Sequence, residues 1–154
     1  MAPEHNTLVL EILKQDKHLA MSIFHQREHA YTLRNYSRIA VSFIETENLC
    51  RELTAILNKR DNQGSLDYVS LENLKHMGQV LSDYLLTKTV KERLKNSSGA
   101  DLILSLDEEL INIPWEILYL GDEFLCLKFN MGRVVRAEER VSLPQYRSFS
   151  SRLK

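Results

Sequence analysis

The chain has 154 residues, of which 44% are hydrophobic and 27% charged, and 20 Lys and Arg against 21 Asp and Glu give a formal net charge of -1. This composition is ordinary for a globular protein with one core and argues against a mainly disordered chain. The small net charge gives no global attraction to nucleic acid or to an anionic membrane. The apolar runs are far shorter than the ~20 residues that cross a bilayer, and the amino end lacks a basic start followed by an apolar block, so we expect a cytoplasmic protein.

Two Leu-, Val- and Ile-rich segments at the amino end, residues 7–15 and 17–26, flank a polar turn. They predict an antiparallel β-hairpin, although Leu-rich runs of this length also occur in helices. Residues 31–41 contain Tyr, Thr, Ile and Val. They predict either a third, edge-like strand or an extended approach to the first helix.

That helix should begin at Phe43, because Ser42 and Glu45 form a capping box in which each side chain can satisfy a free backbone N–H. It is expected to continue to residue 59. Its apolar stripe, with residues three and four apart, consists of Leu49, Cys50, Leu53, Ile56 and Leu57. The polar, Gly-containing residues 59–65 then predict a loop between helices.

A second helix is predicted from Ser70, a good N-cap residue, to Leu86. Its expected buried side consists of Leu71, Leu74, Met77, Leu81 and Leu85. Gly78 interrupts that face, and because Gly in a helix costs roughly 1 kcal/mol relative to Ala, it predicts the close approach of another backbone. A third, short helix over residues 87–96 should be capped by Thr87.

The last third of the chain predicts strands on either side of a short helix. Residues 101–107 are nearly all apolar, which is typical of a strand buried on both faces, and residues 123–129 and 132–137 predict two further strands. Pro114 suits the first turn of a helix, where its missing N–H is harmless, and Glu116 suits the same turn because the helix dipole favours a negative side chain there.

Trp115, the only tryptophan of the chain, lies between them. We expect its buried indole to hold a short helix of one or two turns in place, because burial of a large aromatic side chain contributes a few kcal/mol.

Four segments carry a resemblance to a known family: LKHMGQVLSDYLL (74–86), VKERL (90–94), LILSLDEELINIPWEIL (102–118) and EFLCLKFNMGRVVR (123–136). In order and spacing they resemble the N-terminal part of the CHAT domain, a family of caspase-like cysteine peptidases of prokaryotic proteins that often occur beside tetratricopeptide repeats. The family pattern is an apolar strand ending in an acidic residue, an apolar-Pro-Trp-Glu-apolar-Leu core, and a strand leading to an arginine-containing one. The residues that match this pattern are Asp107, Pro114, Trp115, Glu116, Leu118, Leu125 and Arg133.

The resemblance implies a catalytic His, closely followed by Gly, and a nucleophilic Cys on a caspase-type α/β core that comes well after the Pro-Trp-Glu segment. We expect that core to be absent from this chain. Residues 1–140 would then form one module, and residues 141–154 a polar linker toward the absent core, with a thin basic tail of Arg147, Arg152 and Lys154.

The cysteines offer little for catalysis. Cys50 lies on a helix stripe and Cys126 lies among apolar residues, so both are expected to be buried, inert thiols without a disulfide. His76 precedes Gly78 closely but falls within a regular helical pattern, so we expect it at the surface.

Metal and acid–base chemistry are also weakly supported. Of His18, His25 and His29, the last two could meet on a helix as metal ligands but would not be assembled on a strand, so neither a metal nor a cofactor is expected. Glu116 beside Trp115 could have a raised pKa and act as an acid, or it could cap and hold the short helix. We favour the second role, and we interpret the Glu108–Glu109 pair as a solvated acidic patch.

The prediction is therefore an α+β module with a hairpin, two long helices and a short one, then a strand, the Pro-Trp-Glu helix and two more strands. By resemblance, it is the non-catalytic N-terminal scaffold or regulatory segment of a CHAT-type cysteine peptidase. Its expected partner is a protein, either the caspase-like core, in cis or as a separate chain, or a protein substrate or regulator, with no nucleic acid or membrane partner. The alternatives are a free-standing adaptor or pseudo-peptidase and, third, an enzyme whose activity is sensitive to Cys126→Ala.

Overall fold

The computed structural model describes residues 6–27, 35–59, 67–98 and 101–137. These residues form an α+β fold, as predicted. The strands are β1 (Leu8–Gln15), β2 (His18–His25), β3 (Ser37–Ala40), β4 (Asp101–Asp107) and β5 (Asn130–Arg136). The helices are α1 (Phe43–Asn58), α2 (Tyr68–Leu85), α3 (Lys88–Asn96) and α4 (Leu125–Lys128). Short 3-10 turns occur at Glu108–Leu110 and Trp115–Ile117.

The strands form one mixed sheet in the order β3-β2-β1-β4-β5. The predicted hairpin is confirmed: β1 and β2 are antiparallel, and they are joined at Asp16, which has the left-handed φ of 54° that Asp tolerates better than most residues. The third strand is also confirmed, as edge strand β3 beside β2, although residues 31–34 lie outside the described residues. β4 is parallel to both β1 and β5.

One face of the sheet forms the core, and we call it the core face. It carries Leu8, Leu10 and Ile12 of β1, Leu19 and Met21 of β2, and Leu102, Leu104 and Leu106 of β4. The expectation that β4 is buried on both faces is wrong, because Ile103 and Ser105 on the opposite face are only half-buried. The core face packs against the apolar stripes of the helices, which include Leu53, Leu81, Leu85 and Leu94.

The predicted first residues are confirmed for α1 and α3 and wrong for α2. Ser42 accepts a hydrogen bond from the Glu45 N–H and Thr87 accepts one from the Val90 N–H, so α1 begins at Phe43 and α3 at Lys88. The α2 prediction is wrong by one turn, because Asp67 is the N-cap and its carboxylate accepts from the Ser70 N–H at 2.7 Å.

The predicted loop at residues 59–65 lies almost wholly outside the described residues. No helix in the described part of the chain has the length and apolarity to cross a membrane.

The strand predicted over residues 123–129 is wrong, since residues 125–128 form the single helical turn α4. Leu125 and Phe129 are buried on one side of that turn, whereas Leu127 is 72% exposed. In a strand the residue between them, Leu127, would lie on the same face and be buried too, so its exposure fits a helical and not a strand period. The strand predicted over residues 132–137 is confirmed as β5.

Candidate functional site

Trp115 lies at the centre of the predicted motif. Its side chain is fully buried, and its indole Nε1–H donates to the Leu110 carbonyl at 3.0 Å, so its one polar atom is satisfied. The predicted short helix is a single 3-10 turn over Trp115–Ile117. Pro114 precedes that turn at the N-cap position with a ψ of 69°, so its predicted place inside the first turn is wrong by one residue.

Gly78 of α2 lies directly against this turn. A Cβ atom at Gly78 would be 2.5 Å from the Ile117 carbonyl oxygen, a distance that real Cβ contacts do not show. The Tyr119 N–H donates to the Gly78 carbonyl at 3.1 Å, so the two backbones are joined as well as close. The predicted close approach is confirmed, and the approaching backbone is that of the Pro-Trp-Glu segment.

Glu116 and Arg133 form a two-point ion pair that joins the same segment to β5. Arg133 Nε donates to Oε1 at 2.7 Å, and Nη2 donates to Oε2 at 2.5 Å. The guanidinium also donates to the carbonyls of Ile111 at 2.5 Å and Ile113 at 3.2 Å. This parallel arrangement is the stronger and more directional form of an Arg–carboxylate contact.

The carboxyl group of Glu116 is held in its ionised form. Its partial burial alone would raise its pKa, but the hydrogen bonds and charge of Arg133, together with a backbone hydrogen bond, outweigh burial and lower it. The alternative of a raised pKa beside Trp115 is therefore wrong, and the geometry suits the predicted holding role.

Leu118 and Leu125, two further residues of the pattern, also meet. Leu118 is fully buried, and its carbonyl accepts a hydrogen bond from the Leu125 N–H at 2.9 Å. We call the residues that meet here the tryptophan corner, which comprises Gly78, Pro114, Trp115, Glu116, Leu118, Leu125 and Arg133.

Asp107 does not belong to the tryptophan corner. It ends β4, where its carboxylate accepts from the Lys14 N–H at 2.6 Å and from Arg136 Nε at 3.3 Å. Arg136 also pairs with Glu11 at 2.9 Å and donates to the Ile12 carbonyl at 2.9 Å. Sequence reasoning missed both Arg136 and Glu11, and the signal was the parallel register, which places Asp107 directly beside Arg136.

A cleft of about 380 Å³ opens at this carboxyl edge of the parallel strands. Its lining consists of Lys14, Asp16, Asp107, Glu108, Glu109 and Arg136. Lys14 pairs with Glu109 and Arg136 pairs with Asp107, so each basic residue of the cleft holds one of its four acidic residues. Glu108 and Glu109 are exposed, as the predicted solvated patch requires.

Both cysteines are free, and their surroundings differ. Cys50 is half-buried, and burial, together with the negative charge of Glu47, raises the pKa of its thiol, which disfavours the nucleophilic thiolate. The expectation of a buried Cys126 is wrong, because it lies on the exposed side of helix α4. His76 is exposed as expected.

His18, His25 and His29 are the histidines that the sequence offers as metal ligands. His18 and His25 lie at opposite ends of β2, and His29 lies outside the described residues. Within the four described ranges, no three or more His, Cys, Asp or Glu side chains are grouped so that they could hold a metal ion.

Comparisons of the chain with protein-family models, curated proteins and solved structures give no match. Within the described residues, the tryptophan corner and strand β5 are the features that bear on a function.

Proposed function

We propose that this chain is the non-catalytic N-terminal scaffold of a CHAT-type, caspase-like cysteine peptidase. Its role is to support a core, carried by other polypeptide, that holds the catalytic His and Cys. The proposal rests on the resemblance in sequence and on one structural observation, the apolar outer edge of strand β5.

β5 is an edge strand with β4 as its neighbour on one side only in the described sheet. Val134 and Val135 are 54% and 46% exposed. Because successive side chains of a strand point to opposite faces, these valines present apolar surface on both faces of the sheet. A seven-residue edge strand with exposed valines is a template for pairing with another strand.

The tryptophan corner gives this edge a fixed position. Arg133 of β5 bonds to Glu116 and to the Ile111 and Ile113 carbonyls, so the strand is tied to the loop that carries Trp115. A rigid edge favours docking, because less conformational freedom is lost when the partner binds.

The direction of the strands supports a further layer of protein. All-parallel sheets occur almost only where both faces are covered, and β1, β4 and β5 form the parallel part of this mixed sheet, whose face opposite the core is only half-buried at Ile103 and Ser105. We therefore place the caspase-like core beside β5, where a core strand would extend the sheet and cover Val134 and Val135.

The first test is the coding sequence. The proposal requires a His closely followed by Gly, and a Cys, in the polypeptide that continues in frame or in one encoded by a neighbouring gene. If neither carries them, the scaffold role is contradicted.

The second test is association between this chain and that His- and Cys-bearing polypeptide, measured by isothermal titration calorimetry or, for a continuous chain, by peptidase activity. The double variant Val134→Asp/Val135→Asp should reduce affinity or activity by at least about tenfold, because two charges would be buried at the contact. The matched control is Val69→Asp, since Val69 is 65% exposed on α2.

The outcomes separate the candidate functions. Equal effects of the β5 and α2 variants would contradict docking at β5. Binding of a protein without peptidase residues, with the same dependence on β5, would favour the alternative of a free-standing adaptor.

A further inference from the structure

A second pocket, of about 280 Å³, opens at the opposite end of the strands, where β1 begins and β2 and α3 end. We call it the amino-edge pocket. Its polar lining consists of Asn6, His25, Arg93, Asn96, Ser97 and Ser98. None of its described lining residues is acidic. This sets it apart from the carboxyl-edge cleft, where four of the six lining residues are Asp or Glu.

Arg93 gives the pocket a positive charge that no described residue neutralises in an ion pair. Arg133 and Arg136 are each held by a carboxylate, but Arg93 forms no ion pair with any described residue. A guanidinium presents planar N–H donors that match the oxygen atoms of phosphate or carboxylate. A guanidinium without an ion-pair partner among the described residues, in a concave site whose described lining contains no acid, therefore favours an oxyanion.

The partial negative charge at the C-terminus of α3 offsets the positive charge of Arg93 only in part. A helix C-terminus carries roughly half a negative charge, which disfavours an anion nearby. Here Lys128 Nζ donates to the Lys95 carbonyl at 2.7 Å, so a full positive charge meets one of those terminal carbonyls. The carboxylate of Asp101 accepts a hydrogen bond from Asn130 and is not among the described lining residues. Among those lining residues, Arg93 is the only Arg, Lys, Asp or Glu.

The other polar groups supply donors. His25 Nδ1 is buried and has no hydrogen-bond partner within the described part of the chain. Imidazole nitrogens donate or accept hydrogen bonds according to the tautomer, so this ring adds to the pocket lining a polar atom without a described partner. The side chains of Asn6, Asn96, Ser97 and Ser98 add amide and hydroxyl donors around Arg93.

We propose that the amino-edge pocket binds a small molecule that carries an oxyanion, either a phosphate monoester or a carboxylate. Its volume lies just below the ~300 to 1,000 Å³ of pockets for drug-sized ligands, so the ligand is small. The charge of Arg93 provides the main attraction, and the hydroxyl and amide groups at the end of α3 orient the bound oxygens.

The test is an NMR titration of the purified chain with inorganic phosphate and, separately, with acetate, at an ionic strength held constant with sodium chloride. The amide signals of Asn96, Ser97 and Ser98 should shift and saturate. Arg93→Gln should weaken binding by about tenfold or more, the effect of losing a charge-assisted hydrogen bond. Arg93→Lys, which keeps the charge and loses the planar fork, should bind with intermediate affinity.

The matched control is Lys88→Gln, which removes one positive charge from the same helix at a side chain that is 88% exposed. It should leave the affinity nearly unchanged, and the spectra of both variants report whether the chain is folded. Tighter binding of phosphate would assign a phosphate monoester, and tighter binding of acetate a carboxylate. Unsaturable shifts, or equal affinity in Arg93→Gln and Lys88→Gln, would overturn the proposal.

Discussion

The tryptophan corner and the outer edge of β5 lie a few residues apart in the fold and differ in almost every physical respect. The centre of the corner excludes solvent, because Trp115 is fully buried and its indole N–H is satisfied. The outer edge of β5 is exposed to solvent, since Val134 and Val135 are about half exposed. The difference indicates that one region holds the module together and that the other faces outward, available to a partner. Substitutions in the two regions should therefore separate stability from association.

Trp115→Ala should produce the largest effect. Removal of a fully buried large aromatic side chain typically costs about 3–5 kcal/mol, a large share of the ~5–15 kcal/mol that stabilises a small domain. Urea denaturation followed by circular dichroism measures the change in the free energy of unfolding. Tyr68→Ala is the control, because Tyr68 is 76% exposed and its loss should change stability by less than about 0.5 kcal/mol.

Gly78→Ala should rank next. The added methyl group would meet the Ile117 carbonyl oxygen at 2.5 Å, and backbone on both sides leaves no flexible group to yield. We expect a loss of about 1–3 kcal/mol, the usual cost of overpacking, despite the better helix propensity of Ala. Gly132→Ala provides the comparison, since a Cβ there meets nothing within 4 Å. Equal denaturation midpoints for the two variants would show that α2 and the Trp115 turn are not in close contact.

Arg133→Gln should have a smaller effect on stability. Its pair with Glu116 is about one-third exposed, so solvent screening reduces the contribution to about 1 kcal/mol. Arg51→Gln removes a pair whose side chains are 75% and 71% exposed, and its cost should be at most about 0.5 kcal/mol. The comparison would fail if the Arg51 variant lost more stability than the Arg133 variant in urea.

Glu116 also predicts a pH dependence. Its pKa is lower in the folded state than its ordinary value of 4.5, so the stability it contributes is present above that value and is lost as the pH falls through the folded-state pKa. The denaturation midpoint of the parent chain should therefore fall more steeply between about pH 5 and 3 than that of Glu116→Gln. Parallel pH profiles would mean that Arg133 does not perturb this carboxyl group.

Val134→Asp should have the smallest effect on folding, within about 0.5 kcal/mol, because the side chain already faces water. Its effect should be on association with the proposed peptidase core. A variant that unfolded the chain would place Val134 inside the module and remove the contrast between the corner and the edge.

Much of the fold followed from local chemistry. The capping residues Ser42 and Thr87 fixed two helix starts, and the apolar segments around Asp16 fixed the hairpin. Gly78 predicted the backbone contact that defines the corner, although nothing local to Gly78 identified Ile117 as its partner.

The wrong predictions have physical causes. Leu125 and Phe129 could belong to a strand or to one helical turn, and their common burial against the core decides for the helix. Ser70 is a good N-cap, but Asp67, three residues earlier, offers a full negative charge to the Ser70 N–H, so the helix begins one turn sooner.

The pairing of Asp107 with Arg136 depends on strand register, a long-range property that local periodicity does not report. The same limit applies to the candidate site: the residues of the corner and the close approach at Gly78 were predicted, but the Glu116–Arg133 and Leu118–Leu125 contacts were not.

The two arginines of β5 have one further consequence. Arg133 aligns with Leu104 on the core face, and Arg136 aligns with Asp107 on the opposite face. Ion pairs with Glu116 and Asp107 therefore hold β5 on both faces of the sheet. A slip by a single position would exchange the two faces and break both attachments at once. A strand that pairs with the outer edge of β5 would therefore meet backbone donors, backbone acceptors and valine side chains at fixed positions. These positions would determine the register of the added strand.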